Sequence, residues 1–423
     1  MLSKEDNERL TRVGPGTPMG EMLRELWTPG ILSKCIEAKG APYAFRLLGE
    51  DLVAFRNGDG SVGVMQKQCP HRCASMQLAR NEGDGLRCIF HGWKFNAAGV
   101  CIDTPTEPPE SREAFAARVP VRAYPAREAG GLIWVYMGKR ETPPAFYDFE
   151  MHFPPADALL RCAVVKGNWL QGLEGQLDSA HLNFLHSSSA PRRPDKRDSA
   201  TMVTNDSSPR FEFIDKPYGY REAALRNLPD GSIYARIREV VLPYYSFIPG
   251  LHGEPRLVVV VVPIDDETSA HWYYYLNPFG PVPEWYRKQA VDRTGPDDMD
   301  FAADRGDASN AWHQDRAAMA NGHFSGLMKN FVYEDFIIEE SMGPIMDRSK
   351  EFLGTSDTVI VRTRRMFLRA LEDHAKGTAP FGVDSGIDYR SIRALAIRFP
   401  READWKTFDP LNPPAYQFPQ AAE

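Results

Sequence analysis

The sequence predicts an α+β protein with an N-terminal all-β domain and a larger C-terminal domain in which an antiparallel sheet packs against long helices. A chain of 423 residues is long for one domain and suits two or three. Short apolar runs separated by Gly, Asn and Asp turns fill residues 41–137, as is typical of β-strands. Strand patterns return at residues 210–278, where helical patterns flank them. A β unit followed by such a sheet with helices is α+β.

We expect three segments, divided near a proline-rich linker at residues 143–155. Residues 1–40 are predicted to be a helical lead that packs on the C-terminal domain. Residues 41–145 are predicted to be the β domain, and residues 146–423 the larger domain.

Within the larger domain, the pattern predicts a helix from residue 168 to about residue 184 and a buried strand at residues 257–262. Residues 280–330 are polar and rich in Gly and Asp, which indicates a long mobile segment near the mouth of a site. A final amphipathic helix is expected at residues 359–376.

Composition excludes several classes of partner. The net charge of −7 argues against nucleic acid and against an anionic membrane, because both attract basic surfaces. No apolar run reaches the roughly 20 residues that span a bilayer. The charged N-terminal stretch lacks the apolar region of a signal peptide, so we expect a cytoplasmic protein.

The first motif that carries chemistry is Cys69-Pro-His71, followed after sixteen residues by Cys88-Ile-Phe-His91. Two thiolates and two imidazoles are the ligand set of a Rieske [2Fe–2S] centre. Zinc also accepts Cys₂His₂ sites, but a zinc finger groups its cysteines together, whereas here cysteine and histidine are interleaved. Cys73 lies in the same loop, and its role stays open.

The second motif is Asp178-Ser-Ala-His181, with His186 five residues further on. Two histidines and a carboxylate bind the non-haem Fe(II) that activates O₂. On a regular helix Asp178 and His181 share a face, while His186 lies about 140° away, so we expect a π-like widening. The alternative is that the two histidines are ordinary packed or surface residues.

The third iron ligand has several candidates. Asp178 is better suited to bond to His181 and fix the tautomer of its ring. A carboxylate from a distant element would let the three ligands cap one face of the metal, and Asp335 is our choice. The alternative is that Glu334, Glu339 or Glu340 is the ligand while Asp335 caps its helix.

At these residues the sequence resembles the catalytic subunits of Rieske non-haem iron oxygenases, over nearly the whole chain. It is most similar to the branch of phthalate 4,5-dioxygenase, which also contains chlorobenzoate dioxygenases and aromatic O-demethylases. The stretches that carry the resemblance are Gly16-Thr-Pro-Met-Gly20, Leu48-Gly-Glu-Asp-Leu52, Cys69-Pro-His-Arg72, His91-Gly-Trp-Lys94, Leu173-Glu-Gly175, Asp178-Ser-Ala-His181, Glu340-Ser-Met-Gly-Pro-Ile345 and Asp347-Arg-Ser349.

The resemblance implies a Rieske domain and a helix-grip, START-like catalytic domain. It implies that His181, His186 and Asp335 bind iron. It also implies that Asp178 bridges His181 to His91 of the partner subunit, in a homotrimer or a hexamer, because the two metals of one chain are too far apart. A separate flavin or ferredoxin-type reductase would supply electrons from NAD(P)H.

The substrate that the resemblance implies is a small aromatic acid. Relatives grip its carboxylate with arginines, which the strand at residues 243–247 lacks. Our candidate substrate residues are Ser179, Arg210, Tyr244 and His271. Arg236 and Arg238 are further candidates, although a strand arginine is commonly solvated, and His271 could equally pack outside the sheet.

We therefore predict an enzyme, a terminal oxygenase that uses O₂ to dihydroxylate or monohydroxylate an aromatic carboxylic acid. The alternative is oxidative O-demethylation of a methoxylated aromatic acid on the same scaffold. A Rieske electron-transfer protein without catalysis would lack the second motif. A small-molecule binding protein with vestigial metal motifs would have lost some of the ligands.

Overall fold

The computed structural model describes residues 2–154, 157–189, 203, 205–294, 300–383 and 385–416. Its internal contacts divide the chain into two compact units. The larger unit comprises Met1–Thr11, Tyr147–Val262 and Glu267–Glu423, and the smaller unit comprises Arg12–Phe146 and Pro263–Asp266.

The described residues form eight α-helices: α1 (Lys4–Thr11), α2 (Pro18–Arg24), α3 (Arg112–Ala116), α4 (Trp169–Leu177), α5 (Glu284–Thr294), α6 (Arg316–Ala320), α7 (Phe331–Ser341) and α8 (Thr358–His374). The predicted final helix is confirmed as α8. The polar segment at residues 280–330 contains α5 and α6, and residues 295–299 lie outside the described residues. None of the described helices combines the length and the apolar character needed to cross a bilayer.

The smaller unit is built from short antiparallel strands. They are β1 (Thr28–Leu32), β2 (Tyr43–Leu47), β3 (Glu50–Arg56), β4 (Val62–Gln66), β5 (Arg80–Asn81), β6 (Leu86–Arg87), β7 (Lys94–Phe95), β8 (Cys101–Asp103), β9 (Ala123–Tyr124), β10 (Ala126–Ala129) and β11 (Leu132–Val135). They form three sheets, ordered β1-β11-β10, β2-β3-β4-β9 and β5-β6-β7-β8. One apolar core joins β3, β4 and the β5–β8 sheet, and Cys69 and Cys88 belong to it.

The larger unit contains one eight-stranded antiparallel sheet. Its strands are β12 (Leu159–Val165), β13 (Arg210–Lys216), β14 (Gly219–Asn227), β15 (Ile233–Val241), β16 (Tyr245–Ile248), β17 (Arg256–Pro263), β18 (Ser269–Leu276) and β19 (Leu395–Phe399). The order is β12-β18-β17-β16-β15-β14-β13, and β19 also pairs with β15. Together with the all-β unit, this sheet and its helices confirm the α+β prediction.

The two faces of this sheet differ in character. On one face, side chains of β14, β15 and β19 form an apolar core that includes Leu225, Ile237 and Leu395. The opposite face, which we call the inner face, is polar. Glu222 pairs with Arg238 and Arg226 pairs with Tyr234 across β14 and β15, and directly opposed residues of antiparallel strands point to the same side. All four side chains are buried, so the inner face brings charge into the interior.

Helix α4 packs closely against neighbouring elements because glycine occupies two of its positions. A Cβ atom at Gly172 would lie 2.5 Å from ring atoms of His271 on β18, and one at Gly175 would lie 2.8 Å from the carboxylate of Glu339 on α7. Real Cβ atoms do not approach other atoms so closely. The two glycines therefore let α4 carry the second motif directly beside β18 and α7.

A buried ionic network connects α1, α4 and α8. Glu174 on α4 accepts hydrogen bonds from Arg348 at 2.9 Å and from Arg364 on α8 at 2.6 Å. Arg348 also donates to Asn7 on α1 at 3.1 Å. Burial acts to raise the pKa of Glu174, but Arg348 and Arg364 act more strongly and lower it below its ordinary value.

We predict that Glu174→Gln lowers the free energy of unfolding by about 3–5 kcal/mol, since it leaves two buried arginines without their anion. A carboxyl group with a lowered pKa stabilises the fold above its unfolded pKa of about 4.3, and this contribution is lost as pH falls through the folded pKa. The difference in the free energy of unfolding between wild type and variant should therefore be largest at pH 7 and should decrease as the pH falls through the folded pKa of Glu174. Chemical denaturation measures it. Arg369→Ala, which changes an exposed residue of α8, should have almost no effect.

Candidate metal centres

The two predicted cluster loops have the same backbone conformation. In the first loop the Cys69 N–H donates to the Ala74 carbonyl at 2.8 Å, and the Cys73 N–H donates to the Cys69 carbonyl at 2.9 Å. Cys73 adopts a positive φ of 57° and is exposed. It therefore closes the turn with its backbone, and it is exposed, whereas Cys69 and Cys88 are buried.

The second loop repeats this pattern with glycine at the matching position. The Cys88 N–H donates to the Trp93 carbonyl at 2.8 Å, and the Gly92 N–H donates to the Cys88 carbonyl at 2.9 Å. Gly92 has a φ of 77°, a conformation that glycine adopts without strain. Two like turns thus present one cysteine and one histidine each.

The four side chains fit a cluster. Burial, followed by the neighbouring Cys88, raises the pKa of the Cys69 thiol to about 11, so that this thiol ionises readily only beside a cation. The rings of His71 and His91 lie 4.4 Å apart between centroids. Nδ1 of His91 is buried without a hydrogen-bond partner in the described structure, as expected for an atom that binds a metal.

The protonation state of His71 suits a metal, and the spacing of the ligands favours a two-iron cluster over a single ion. Burial and the nearby His91 lower the pKa of His71, which favours the neutral imidazole that a metal requires. Among the described residues, the set with three ligand atoms within 4.8 Å of one another is His181, His186 and Asp335. The Cys/His set is wider than this, as a [2Fe–2S] centre with its ligands divided between two irons would be.

The predicted helix across the second motif is wrong, because α4 ends at Leu177. Asp178 has an extended conformation (ψ 130°), and its Oδ1 accepts the Ala180 N–H at 2.6 Å. An Asp side chain that bonds to the backbone two residues on forms a turn that competes with the helix. His181 follows in a single 3₁₀ turn, His181–Asn183, so no π-like widening is needed.

The structure brings His181, His186 and Asp335 together. Asp335 on α7 lies 2.9 Å from His186 Nε2 and 3.6 Å from His181 Nε2. The two imidazole rings are 5.0 Å apart between centroids and inclined at 77°. One ligand atom of each of the three residues lies within 4.8 Å of the others, and together they form the ligand set of a 2-His-1-carboxylate site.

A second carboxylate bonds to the other nitrogen of each histidine. Nδ1 of His181 lies 3.4 Å from Asp178, and Nδ1 of His186 lies 2.7 Å from Glu334. Such partners fix the tautomer and orientation of metal-binding histidines. Glu334 is also bonded by the hydroxyls of Ser189 and Ser325, so its position is well defined. Sequence reasoning considered Glu334 only as an iron ligand.

The other candidate carboxylates have different partners. Glu340 pairs with Arg305, and Glu339 is buried beside His271, with its oxygens 3.7 Å or more from that ring. The N-cap of α7 is Asn330, whose side chain accepts the N–H groups of Val332 and Tyr333. Asp335 is thus neither the cap nor one of several equivalent acids.

The buried carboxylates of this site give it a negative charge that favours binding of a cation. Burial acts to lower the pKa of His186, but Asp335 and Glu334 act more strongly and raise it to about 9. The same carboxylates that would hold a proton on this ring favour a divalent metal in its place. The donor set of two imidazoles and one carboxylate suits ferrous iron.

The residues predicted to bind substrate differ in burial: three are buried and one is exposed. Ser179 is buried and bonded to Arg226. Arg210 has a side chain that is 71% exposed and pairs with Glu212 at 3.0 Å. Tyr244 is buried. His271 is buried on the inner face of the sheet, against α4.

Comparison with known proteins agrees with this architecture. Residues 27–125 match the Rieske [2Fe-2S] domain model, and residues 135–417 match the LigXa C-terminal domain like model. The 3-chlorobenzoate-3,4-dioxygenase oxygenase subunit of Comamonas testosteroni is 37% identical over 96% of this chain and 98% of its own. The phthalate 4,5-dioxygenase oxygenase subunit of Pseudomonas putida is 37% identical over 96% and 95%.

Two further relatives extend the comparison. The 5,5'-dehydrodivanillate O-demethylase oxygenase subunit of Sphingobium sp. is 33% identical over 90% of this chain and 83% of its own. The crystal structure of dicamba monooxygenase bound to dicamba has a TM-score of 0.58 at 17% identity, and the match covers 84% of this chain and 99% of that chain. This last likeness confirms the fold.

These ligand sets on this fold define an oxidoreductase that combines electron transfer with oxygen activation. The chain belongs to the Rieske oxygenases, in the branch of the phthalate and chlorobenzoate dioxygenase oxygenase subunits. Its cofactors are a Rieske [2Fe–2S] cluster and a mononuclear iron that uses O₂.

We predict that Glu334→Gln weakens iron binding at the mononuclear site about 10–100-fold, because His186 loses its charged partner. Asp335→Ala is expected to abolish it, since a ligand is removed. Both variants should retain the two irons of the cluster. Iron analysis after dialysis against a graded chelator measures this. Asp304→Asn, which changes an exposed carboxylate near Tyr333, is the control. Full iron in Asp335→Ala would contradict the assignment.

Proposed function

We propose that this protein is the terminal oxygenase of a multicomponent system that hydroxylates an aromatic carboxylic acid. One observation carries the proposal: a single chain holds both a two-cysteine, two-histidine pair of loops and a 2-His-1-carboxylate site. The names of the two relatives at 37% identity, a chlorobenzoate and a phthalate dioxygenase, support the substrate class.

We assign the residues of the two centres as follows. Cys69, His71, Cys88 and His91 bind the cluster, and His181, His186 and Asp335 bind the iron. When bound, the cluster supplies single electrons and the ferrous iron is the place of O₂ activation. We further propose that residues 41–145 form the cluster domain and residues 146–423 the catalytic domain. The predicted helical lead at residues 1–40 contains α1 and α2, but it also contains β1, which pairs with β11 of the smaller unit.

Asp178 is proposed to connect the two centres across a subunit boundary. It is bonded to His181, and its side chain is 29% exposed, so it remains accessible from outside the chain. A carboxylate has further lone pairs beyond those used by Ala180 and His181. We propose that one of them accepts from His91 of the partner subunit. The active form is then a homo-oligomer with cyclic contacts, a trimer or hexamer.

The substrate site is proposed on the inner face of the sheet, beside the iron. Burial, and then Arg305, lower the pKa of His271 to about 3, so its ring is neutral. The Ser269 hydroxyl donates to the Gly167 carbonyl at 3.1 Å and therefore accepts from His271 Nε2 at 3.2 Å. His271 then offers Nδ1 as an acceptor, which suits a substrate hydroxyl. Arg236, which is also buried on this face, supplies positive potential that favours a carboxylate.

A flavin or ferredoxin-type reductase is proposed as the partner that passes electrons from NAD(P)H to the cluster. Because this nucleotide is a cytoplasmic reductant, we place the protein in the cytoplasm.

The second candidate function is oxidative O-demethylation, which the O-demethylase subunit at 33% identity favours.

A product screen tests the function. Holoenzyme with a compatible reductase should convert benzoates, phthalates or methoxybenzoates with O₂ consumption, and mass spectrometry of ¹⁸O₂ reactions should show which product carries the label. A labelled diol or phenol supports hydroxylation, whereas an unlabelled phenol formed together with formaldehyde supports demethylation. The matching benzamides are the control for the carboxylate. If amides and acids react equally, the substrate class is wrong.

A second prediction concerns the bridge. Asp178→Asn preserves size but removes the charge and part of the acceptor capacity. Both metal centres and the fold should remain, while oxidation of the pre-reduced cluster on addition of substrate and O₂ should slow markedly. Rapid mixing followed by EPR measures this rate. A wild-type rate, or a fully active monomer, would show that Asp178 has a structural role alone.

A further inference from the structure

Two buried arginines of the sheet bind the carbonyl groups of the residues before and after Asp178. Arg238 on β15 donates through Nη1 to the carbonyl of Leu177, the residue before Asp178. Arg226 on β14 donates through Nη2 to the carbonyl of Ser179, the residue after it, at 2.7 Å. The two side chains come from neighbouring strands and point to the same face. We call this pair the arginine clamp.

Arg226 makes several bonds to the same turn. Its Nη1 and Nη2 each lie 3.3 Å from the Ser179 hydroxyl, and its Nη2 lies 3.4 Å from the side-chain oxygen of Asn183. Its Nε donates to the Asp206 carbonyl at 3.1 Å. The residue is fully buried, and these oxygens are neutral. A buried cation on neutral oxygens is costly for folding, so stability alone is a weak reason for it.

The clamp determines where the Asp178 carboxylate lies. Its Oδ1 accepts the Ala180 N–H at 2.6 Å, and its Oδ2 lies 3.4 Å from His181 Nδ1. Both partners belong to the turn that follows Leu177, and the clamp holds the chain at Leu177 and at Ser179, on either side of Asp178. A shift of the Leu177 or Ser179 peptide would therefore move the carboxylate relative to His181.

The charges of the two arginines also favour this position of the Asp178 carboxylate. Asp178 interacts electrostatically with both arginines. Glu222 lies opposite Arg238, with its carboxylate 3.8 Å away, and is itself buried. Arg238 thus has Glu222 as a second nearby carboxylate, whereas Arg226 makes its hydrogen bonds to neutral oxygens. The clamp thus combines a mechanical hold with attraction for the Asp178 anion.

We propose that Arg226 and Arg238 are positioning residues for electron transfer, which act by fixing the Asp178 turn in the geometry that lets its carboxylate join His181 to the partner subunit. This proposal rests on the role of Asp178 proposed above. It adds that the efficiency of the bridge is determined by the sheet, through residues that contact neither metal centre.

The experiment is a double-mutant cycle on the holoenzyme. Arg226→Met and Arg238→Met remove the clamp with little change of volume, and Arg226→Lys and Arg238→Lys retain the charge. Arg221→Met is the matched control, because Arg221 lies on β14 and pairs with Glu239 at 2.6 Å on the opposite face. Each change is made with Asp178 and with Asp178→Asn. The readouts are the cluster oxidation rate, metal content, KM for substrate, and hydrogen–deuterium exchange of residues 178–183.

We expect both Met variants to retain cluster, iron and KM, while cluster oxidation slows about 10–100-fold and exchange at residues 178–183 accelerates. The Lys variants should recover part of the rate. With Asp178→Asn in place, removal of the clamp should cause no further slowing, because both changes act through one group. Arg221→Met should behave as wild type in all readouts.

Other outcomes would overturn the proposal. Slowing that adds to that of Asp178→Asn, or loss of iron, would mean that the arginines act through the fold or the iron site. If the Met variants do not fold, the Lys variants carry the same cycle, and unchanged exchange and rate in them would refute the clamp. If the cluster of the Asp178→Asn variant is oxidised at the wild-type rate, the bridging role of Asp178 is refuted. That result differs from one in which the effects of the arginine and Asp178 substitutions add.

Discussion

The catalytic unit depends on two consecutive carboxylates of α7 that bind opposite nitrogens of one ring. Asp335 approaches Nε2 of His186, and Glu334 approaches Nδ1. Successive residues of an α-helix point about 100° apart, so neighbours can reach around a ring that enters between them. One helical turn thereby supplies a metal ligand and the group that orients a second ligand. The cost is an excess of buried negative charge, which a metal cation offsets.

The two histidines are arranged alike, but their outer carboxylates differ in accessibility. The side chain of Glu334 is fully buried and that of Asp178 is 29% exposed. Both can fix a ring, yet only a carboxylate that remains accessible can also meet another chain. This difference supports the bridging role for Asp178 and a purely orienting role for Glu334. The asymmetry arises because Glu334 lies within α7, whereas Asp178 lies at the exit of α4.

The motifs could be found from the sequence because metal ligands require particular residue types at particular spacings. The choice of Asp335 over its acidic neighbours rested on the expected geometry of a triad, and the structure places it beside both histidines. The course of the chain through His181 and His186 was not predictable in the same way. Periodicity indicates where a helix is favourable, but the Asp178 side chain competes for the backbone, and that local bond ends the helix. Similarly, alternation predicts which strand residues share a face, but not that helices cover the face bearing Arg226 and Arg238.

The early end of α4 has a functional consequence. On a continued helix, Asp178 and His181 would stay on one face while His186 turned away, and a single helix could not direct both rings at one metal. The turn at Asp178 releases the chain, and the following residues take a path that brings His186 back to Asp335. A turn without regular hydrogen bonds is less rigid than a helix, so it needs support from elsewhere. The bonds from Arg226 and Arg238 supply that support from the sheet.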